Sequence, residues 1–363
     1  MSCNLVIPVV DVAETYDIGK RLGSGASGQV FIATCKRSAR QVAIKQVWVK
    51  SAEQRSEALQ EASTMMSLEH PHICKLFEVF EWDQRIYLVM EWLSGGNVLH
   101  RIEETGSLQE HVVQSIVRQV ASALQHAHHR GIAHLDVKPE NICFVDDDKE
   151  NPNVKLIDWG LAENFAQREG GQMFREVGSY NYAAPEVLEV ALGMRPSGYS
   201  CACDLWSLGA VTYEMMCGSN PFWNDFDSMM SESLGFEEAQ WMRASDDCKD
   251  IIVSLLRAQA ENRLSIAKVF DHGFLVDARA ESKEASACEC IFAIDAKLEI
   301  AETCTVVSAP MRTLVQACSQ ARVFAPARRK GRVTHARQSC RRRRGRTGQA
   351  LSSFGYTYMH LQH

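Results

Sequence analysis

His134-Leu135-Asp136-Val137-Lys138-Pro139-Glu140-Asn141 places an acid, a base and an amide within eight residues, with a proline to stiffen the loop. A strand-like run, Val154 to Ile157, follows and delivers a further carboxylate, Asp158, in Asp-Trp-Gly. Phosphoryl transfer needs a set of this kind. One carboxylate orients the attacking hydroxyl, a Lys neutralises phosphate charge, and an Asn and a second carboxylate hold Mg²⁺.

Upstream, Gly23-Ser-Gly25-Ala-Ser-Gly28-Gln-Val30 supplies a glycine loop. Gly-x-Gly-x-x-Gly alone is shared with dinucleotide folds and plain turns. Here Val30, Phe31 and Ile32 continue as a strand rather than a helix, which favours a strand–turn–strand over phosphates. Glycines let the backbone approach phosphate oxygens that a side chain would block. Val42-Ala43-Ile44-Lys45 is an apolar strand ending in one Lys, and alone it would be an edge strand with a surface Lys. The pattern predicts a helix over 51–67 that carries Glu61, with Glu57 four residues away on the same face. Ile86 to Met90 reads as a buried strand and Glu91-Trp-Leu93-Ser-Gly-Gly96 as the bend after it.

Ser107-Leu-Gln-Glu110 reads as a capping box opening a long helix, with Val112, Ile116, Val120 and Leu124 on one stripe. His126, His128 and His129 end that helix and read as surface complements to its dipole rather than as metal ligands. The acidic run Asp146 to Asp148 and Asn151-Pro-Asn form a turn. They lack the Gly and terminal Glu of a calcium loop.

In order and spacing, these motifs resemble the eukaryotic protein kinases over residues 16–275, Ala184-Pro185-Glu186, Asp204-Leu-Trp206-Ser-Leu-Gly209 and Arg263 included. The resemblance implies an α+β, two-lobed fold: a small β-rich lobe over about 16–90, a hinge at 91–96 and a larger helical lobe over 97–275. Residues 1–15 would be a short leader. The family's pattern also assigns roles. Val30, Ala43 and Cys143 would sandwich the adenine of ATP, Met90 would be the gatekeeper, and the backbones of Glu91 and Leu93 would bond the base. Lys45 with Glu61 would set the phosphates, and Gly23, Gly25 and Gly28 would cover them. Asp136 would orient the substrate hydroxyl, Lys138 would stabilise the transferring group, and Asn141 and Asp158 would hold Mg²⁺. Arg263 would be the buried partner of Glu186.

Lys138 after Asp136, with Gly178-Ser179 before Tyr182, resembles Ser/Thr kinases. Cys217-Gly-Ser-Asn-Pro-Phe-Trp223 most resembles the calcium/calmodulin-dependent group. The rivals are a nucleotide-binding pseudokinase scaffold and a small-molecule phosphotransferase. The complete catalytic set argues against the first, and the Ala-Pro-Glu segment against the second. Glu140 and Glu214 match positions that contact Arg upstream of a target residue in basophilic kinases, with a structural or solvated role as the open alternative.

Departures from the family sharpen the expectation. The usual His-Arg-Asp is His134-Leu135-Asp136, and Leu cannot read a phosphate. Leu161 to Gly178 contains no Ser, Thr or Tyr. Both point to a kinase not gated by activation-loop phosphorylation, with Glu163 or Glu169 contributing to loop order. Trp159 stands for the usual Phe and is expected to pack with His134, Leu76 and Met65.

No apolar run reaches the length of a membrane span and no secretory pattern opens the chain, so an intracellular protein, cytoplasmic or nuclear, is expected. The 13 Cys form no regular framework and read as reduced thiols. Residues 1–302 hold 27 Lys+Arg against 45 Asp+Glu, whereas 303–363 hold 12 Lys+Arg and no acid. An acidic body thus carries a basic tail over 276–363, of a composition typical of disordered chain. The tail leaves several readings open: a nuclear or nucleic-acid address, calmodulin or membrane contact, a strap against the acidic body, or an extension with no specific role. Nucleic acid is the partner least expected. Protein substrates are the expected partners of the body, and no EF-hand loop follows residue 275.

Overall fold

The computed structural model describes residues 7–276 apart from 26, 27, 177, 224 and 238. The expectations for the basic tail lie outside the described residues. One helical turn, α1 (Val12–Thr15), opens the described chain, and its Val12 packs with Tyr16 and Val42 in a small apolar cluster. Five strands follow: β1 (Tyr16–Gly25), β2 (Gly28–Cys35), β3 (Gln41–Trp48), β4 (Leu76–Trp82) and β5 (Arg85–Glu91). They form one antiparallel sheet in the order β1-β2-β3-β5-β4. Gly25 pairs with Gly28 where β1 turns into β2. Gly28 has φ +132°, and a Cβ there would lie 2.3 Å from the Gln46 carbonyl oxygen, so only glycine fits.

Between β3 and β4 runs α2 (Ala52–Ser67), started by Ser51, whose hydroxyl accepts from the Gln54 N–H. It buries Ala58, Glu61, Ala62 and Met65, one stripe at helical spacing. A carboxylate inside that stripe demands a cation across from it.

The larger lobe follows β5. Asn97 caps α3 (Val98–Thr105), and α4 (Glu110–His129) buries Val112, Val113, Ile116, Val117, Val120 and Leu124. Short strand pairs then carry the loops of interest. β6 (Ile132–Ala133) pairs with β9 (Glu163–Asn164), and β7 (Ile142–Phe144) pairs with β8 (Val154–Leu156). After them come α5 (Pro185–Ala191), α6 (Cys203–Cys217), α7 (Phe226–Met230) and α8 (Asp246–Leu255). α6 is buried on every side from Cys203 to Met216, as its apolar sequence dictates. The α+β, two-lobed arrangement is the one expected.

The capping box at Ser107–Glu110 does not form. Gln109 is the N-cap of α4 and makes no side-chain cap bond. Glu110 instead accepts from the backbone and hydroxyl of Ser245, the N-cap of α8, 135 residues downstream. A tertiary partner outcompetes the local one. Among the described residues no helix is long and apolar enough to cross a membrane.

Candidate active site

Register builds the roof of the site. Val30 faces Lys45 across β2–β3, and Ala43 faces Met90 across β3–β5, so these side chains share one face of the sheet. Cys143 lies on β7, which is tied to the bend after β5 by bonds from Gly95 N–H to Phe144 O and from Phe144 N–H to Gly96 O. Burial pushes the Cys143 thiol up to about 12, so it stays neutral. The Glu91 side chain is occupied elsewhere: it accepts from the Lys75 N–H at 2.7 Å and pairs with Lys155 at 2.8 Å. Its N–H is taken as well, donating to Lys75 O, which leaves its carbonyl oxygen as the group able to bond a ligand. Leu93 is buried at the exit of the bend. A Cβ at Gly23 or Gly25 would meet nothing within 4 Å, so packing within the chain does not account for glycine at either position.

Lys45 is the centre of the buried charge. Its Nζ lies 2.6 Å from Glu61 Oε1 and 2.9 Å from Asp158 Oδ1. Burial opposes the ammonium charge, but the two carboxylates outweigh it and hold the lysine pKa above its ordinary value. The same contact, against burial, keeps Asp158 below the usual carboxylate range. Glu57, the other acid considered on α2, is exposed.

The floor is the quoted loop. Asp136 Oδ2 lies 2.8 Å from Lys138 Nζ and accepts from Asn141 Nδ2 at 2.9 Å. Asn141 Nδ2 also donates to the Asp136 carbonyl. Asp136 Oδ1 accepts from both the backbone N–H and the hydroxyl of Ser179, at 3.1 and 2.8 Å, and Lys138 donates to the same hydroxyl at 2.7 Å. A carboxylate that already holds one serine hydroxyl beside a lysine can hold another. In the sequence Ser179 stands out only through the Gly178-Ser179 pair that resembles Ser/Thr kinases.

His134 fastens this loop to the next carboxylate. Its Nε2 donates to Ile157 O at 3.0 Å and its Nδ1 accepts from the Asp136 N–H at 3.2 Å. Trp159, fully buried, meets the His134 ring edge-on with centroids 4.6 Å apart. Met65, Leu76 and Leu135 belong to the same continuous core. Glu163 is buried and accepts from Arg168 Nε at 2.7 Å. Glu169, the other acid expected to order this loop, lies in a short 3₁₀ turn with an exposed side chain.

Sequence reasoning misplaced His128. It is not a surface residue: its Nε2 lies 2.8 Å from Asp204 Oδ2, with both side chains buried. Burial opposes its charge, but the hydrogen bonds and charge of Asp204 and the Cys201 side chain push its pKa up to about 10. Asp204 also accepts from the N–H groups of His134 and Leu135, at 2.9 and 2.8 Å. The available signal was a carboxylate opening an otherwise apolar helix, which requires a buried partner. Arg263 does meet Glu186, bidentate at 2.7 and 3.0 Å.

The protein kinase domain family matches the chain over residues 16–275. Calcium-dependent protein kinase 5 of Plasmodium falciparum is 34% identical over 268 residues, covering 72% of this chain and 45% of the relative. Calcium/calmodulin-dependent protein kinase type 1 of Caenorhabditis briggsae is 32% identical over 279 residues, covering 75% of this chain and 76% of the relative. MAP kinase-activated protein kinase 5 of Mus musculus is 33% identical over 303 residues, covering 74% and 62%. The chain thus spans less than half of the Plasmodium relative.

Proposed function

The chain belongs to the protein kinase family, and from that premise we propose that it transfers the γ-phosphate of Mg-ATP to Ser or Thr hydroxyls of protein substrates, without activation-loop phosphorylation. One observation carries the reading: Lys45, drawn from β3, is ion-paired at once to Glu61 of α2 and to Asp158, at 2.6 and 2.9 Å. That is the arrangement a lysine needs to meet phosphates with its charge fixed and its position shared by both lobes.

In this reading the adenine lies between Val30, Ala43 and Cys143, past Met90, with the backbones of Glu91 and Leu93 as its hydrogen-bond partners. Gly23, Gly25 and Gly28 cover the phosphates. Asp136 accepts the hydroxyl hydrogen of the target residue and orients its oxygen, while Lys138 neutralises charge on the transferring group. Both N–H contacts of the Asn141 amide go to Asp136, so its oxygen is the end left for a cation. That oxygen and the Asp158 carboxylate are hard donors that suit Mg²⁺, which when bound supplies charge neutralisation on the phosphates.

Glu140 and Glu214 support a preference for basic residues N-terminal to the target. Glu140 Oε2 is buried without a hydrogen-bond partner, and Glu214 is buried and accepts from the Tyr182 hydroxyl. A guanidinium would satisfy both.

The test is transfer from labelled Mg-ATP to a basic Ser/Thr peptide library by phosphatase-treated wild type and Asp136→Asn. Wild type transfers, and the variant loses on the order of 10²-fold or more, as loss of a positioned acid–base group brings. No transfer by wild type overturns the kinase reading, and an active Asp136→Asn overturns the role of Asp136. Two of the relatives are named for calcium or calmodulin, so the assay includes calcium/calmodulin. A response would assign the basic tail as its binding segment.

A further inference from the structure

The segment from Leu161 to Gly178 has no hydroxyl to phosphorylate, and the residue before Asp136 is an apolar Leu. Something else must hold this segment against the catalytic loop. Contacts within it and to its neighbours do so, these four among them. The Ala166 N–H bonds Gly131 O at 3.3 Å, Met173 and Tyr199 bond each other's backbones, and Ser179 bonds Asp136. The fourth is the ion pair of Arg168 with Glu163.

The fourth differs in kind. Glu163 lies on β9 directly opposite Ala133, the residue that enters His134-Leu135-Asp136, and five residues after Asp158. Its side chain is only 6% exposed, whereas that of Arg168 is 54% exposed. Its Oε2 is buried without a hydrogen-bond partner. A carboxylate set that deep needs a counter-charge, and Arg168, brought by the loop itself, is the cation bonded to it. If Arg168 lifts away from β9, Glu163 loses that cation and the hydrogen bond it makes with it together. Segment closure and charge compensation are therefore one event.

We propose that the Arg168–Glu163 pair locks the activation segment in its working arrangement and does in this chain what a loop phosphate and its arginine reader would do. The polarity is inverted: the anion is built into the strand beside the catalytic loop, and the cation is carried by an exposed residue five positions later. Arg168 is then a positioning residue, acting on Asp136 and Asp158 through β9 and β6. The inference rests on the kinase reading for its effect on turnover, but not for its effect on the segment.

The experiment uses the full chain, phosphatase-treated, as wild type, Arg168→Gln, Glu163→Gln, the double variant and Arg168→Lys. Steady-state transfer to a peptide and amide hydrogen exchange over 161–176 are both read. Arg168→Gln should lower kcat about tenfold or more with KM for ATP little changed, the loss expected when reacting groups shift slightly. Exchange over 161–176 should quicken while α6 stays protected. Arg168→Lys should recover most of the kcat, and Glu163→Gln should add little to Arg168→Gln, since the two residues act as one unit. Unchanged kcat and exchange in Arg168→Gln would overturn the proposal, as would exchange that rises equally in α6. If wild type transfers nothing, the kinase reading fails, and hydrogen exchange alone decides the lock.

Discussion

Removing the His128 imidazole tests whether the catalytic loop is held from behind. In His128→Ala, Asp204 stays buried with its bonds to the His134 and Leu135 N–H groups but without its cation. Breaking a buried pair from one side costs about 3–5 kcal/mol, because an uncompensated charge remains. Against burial, the His128 pKa is pushed from 6.5 up to about 10, chiefly by Asp204, and this has the sign of a charged, stabilising imidazole. The folded pKa lies above the unfolded one, so this stability is fully present below pH 6.5 and is lost as pH rises through about 10. Asp204 behaves oppositely: its pKa is depressed, and its contribution fades as pH falls through that lowered value. The assay is urea unfolding of wild type and His128→Ala across pH 6 to 10. The variant should be less stable by about 3–5 kcal/mol at pH 7, and the gap should narrow toward pH 10. A gap under about 1 kcal/mol at pH 7, the size of an exposed pair, or one constant with pH, would refute a charged His128.

Lys45→Met leaves Glu61 and Asp158 facing each other without their cation, so transfer should fall by about 10²-fold or more, the scale of losing a preorganised charge. Nucleotide-induced thermal shifts measure the accompanying loss of binding, and an undiminished shift with full activity would count against the site. Glu140→Gln with Glu214→Gln should weaken the preference for arginine upstream of the target while sparing transfer to neutral peptides. Burial raises the Glu214 pKa, partly offset by the Tyr182 bond, so the same preference in wild type should weaken on acidification before an ordinary carboxylate would titrate. Peptide-array selectivity between pH 7 and pH 5 measures both.

What was legible in the sequence was what lies close along the chain. Asp136, Lys138 and Asn141 fall within one loop, and the structure bonds them to each other through contacts at most five residues apart in sequence. Glu61 was favoured over Glu57 by the family's pattern, and the helix does turn Glu61 inward and Glu57 out. The failures share a cause. Glu110 abandoned its capping box for Ser245, 135 residues away, and His128 left the surface for Asp204, 76 residues away. Local rules rank local partners, and neither rule can see a competitor from another helix. Arg168 was invisible for the same reason in reverse. Only the β6–β9 pairing shows that Glu163 is buried beside the catalytic loop.

Two residues in the site have left-handed backbone, which a leucine disfavours and an aspartate tolerates. Leu135 has φ 66° and Asp158 has φ 58°, a left-handed region in which a leucine costs on the order of 1–3 kcal/mol. Such strain persists only where surrounding bonds fix it. For Leu135 the fixing bond is its own N–H to Asp204 Oδ1, and for the neighbouring His134 it is the N–H to Oδ2 of the same carboxylate. The His134 ring then bonds Ile157 O, the carbonyl just before Asp158. One buried carboxylate on α6 therefore constrains the residues on either side of the proposed transfer site, and His128 in turn compensates its charge. The strained turn puts Asp136 toward Lys138 and Ser179 rather than along the strand direction of β6. The loop that carries Asp136 is thus held from the large lobe's interior, and the proposed Arg168–Glu163 pair would hold the activation segment over it from the other side.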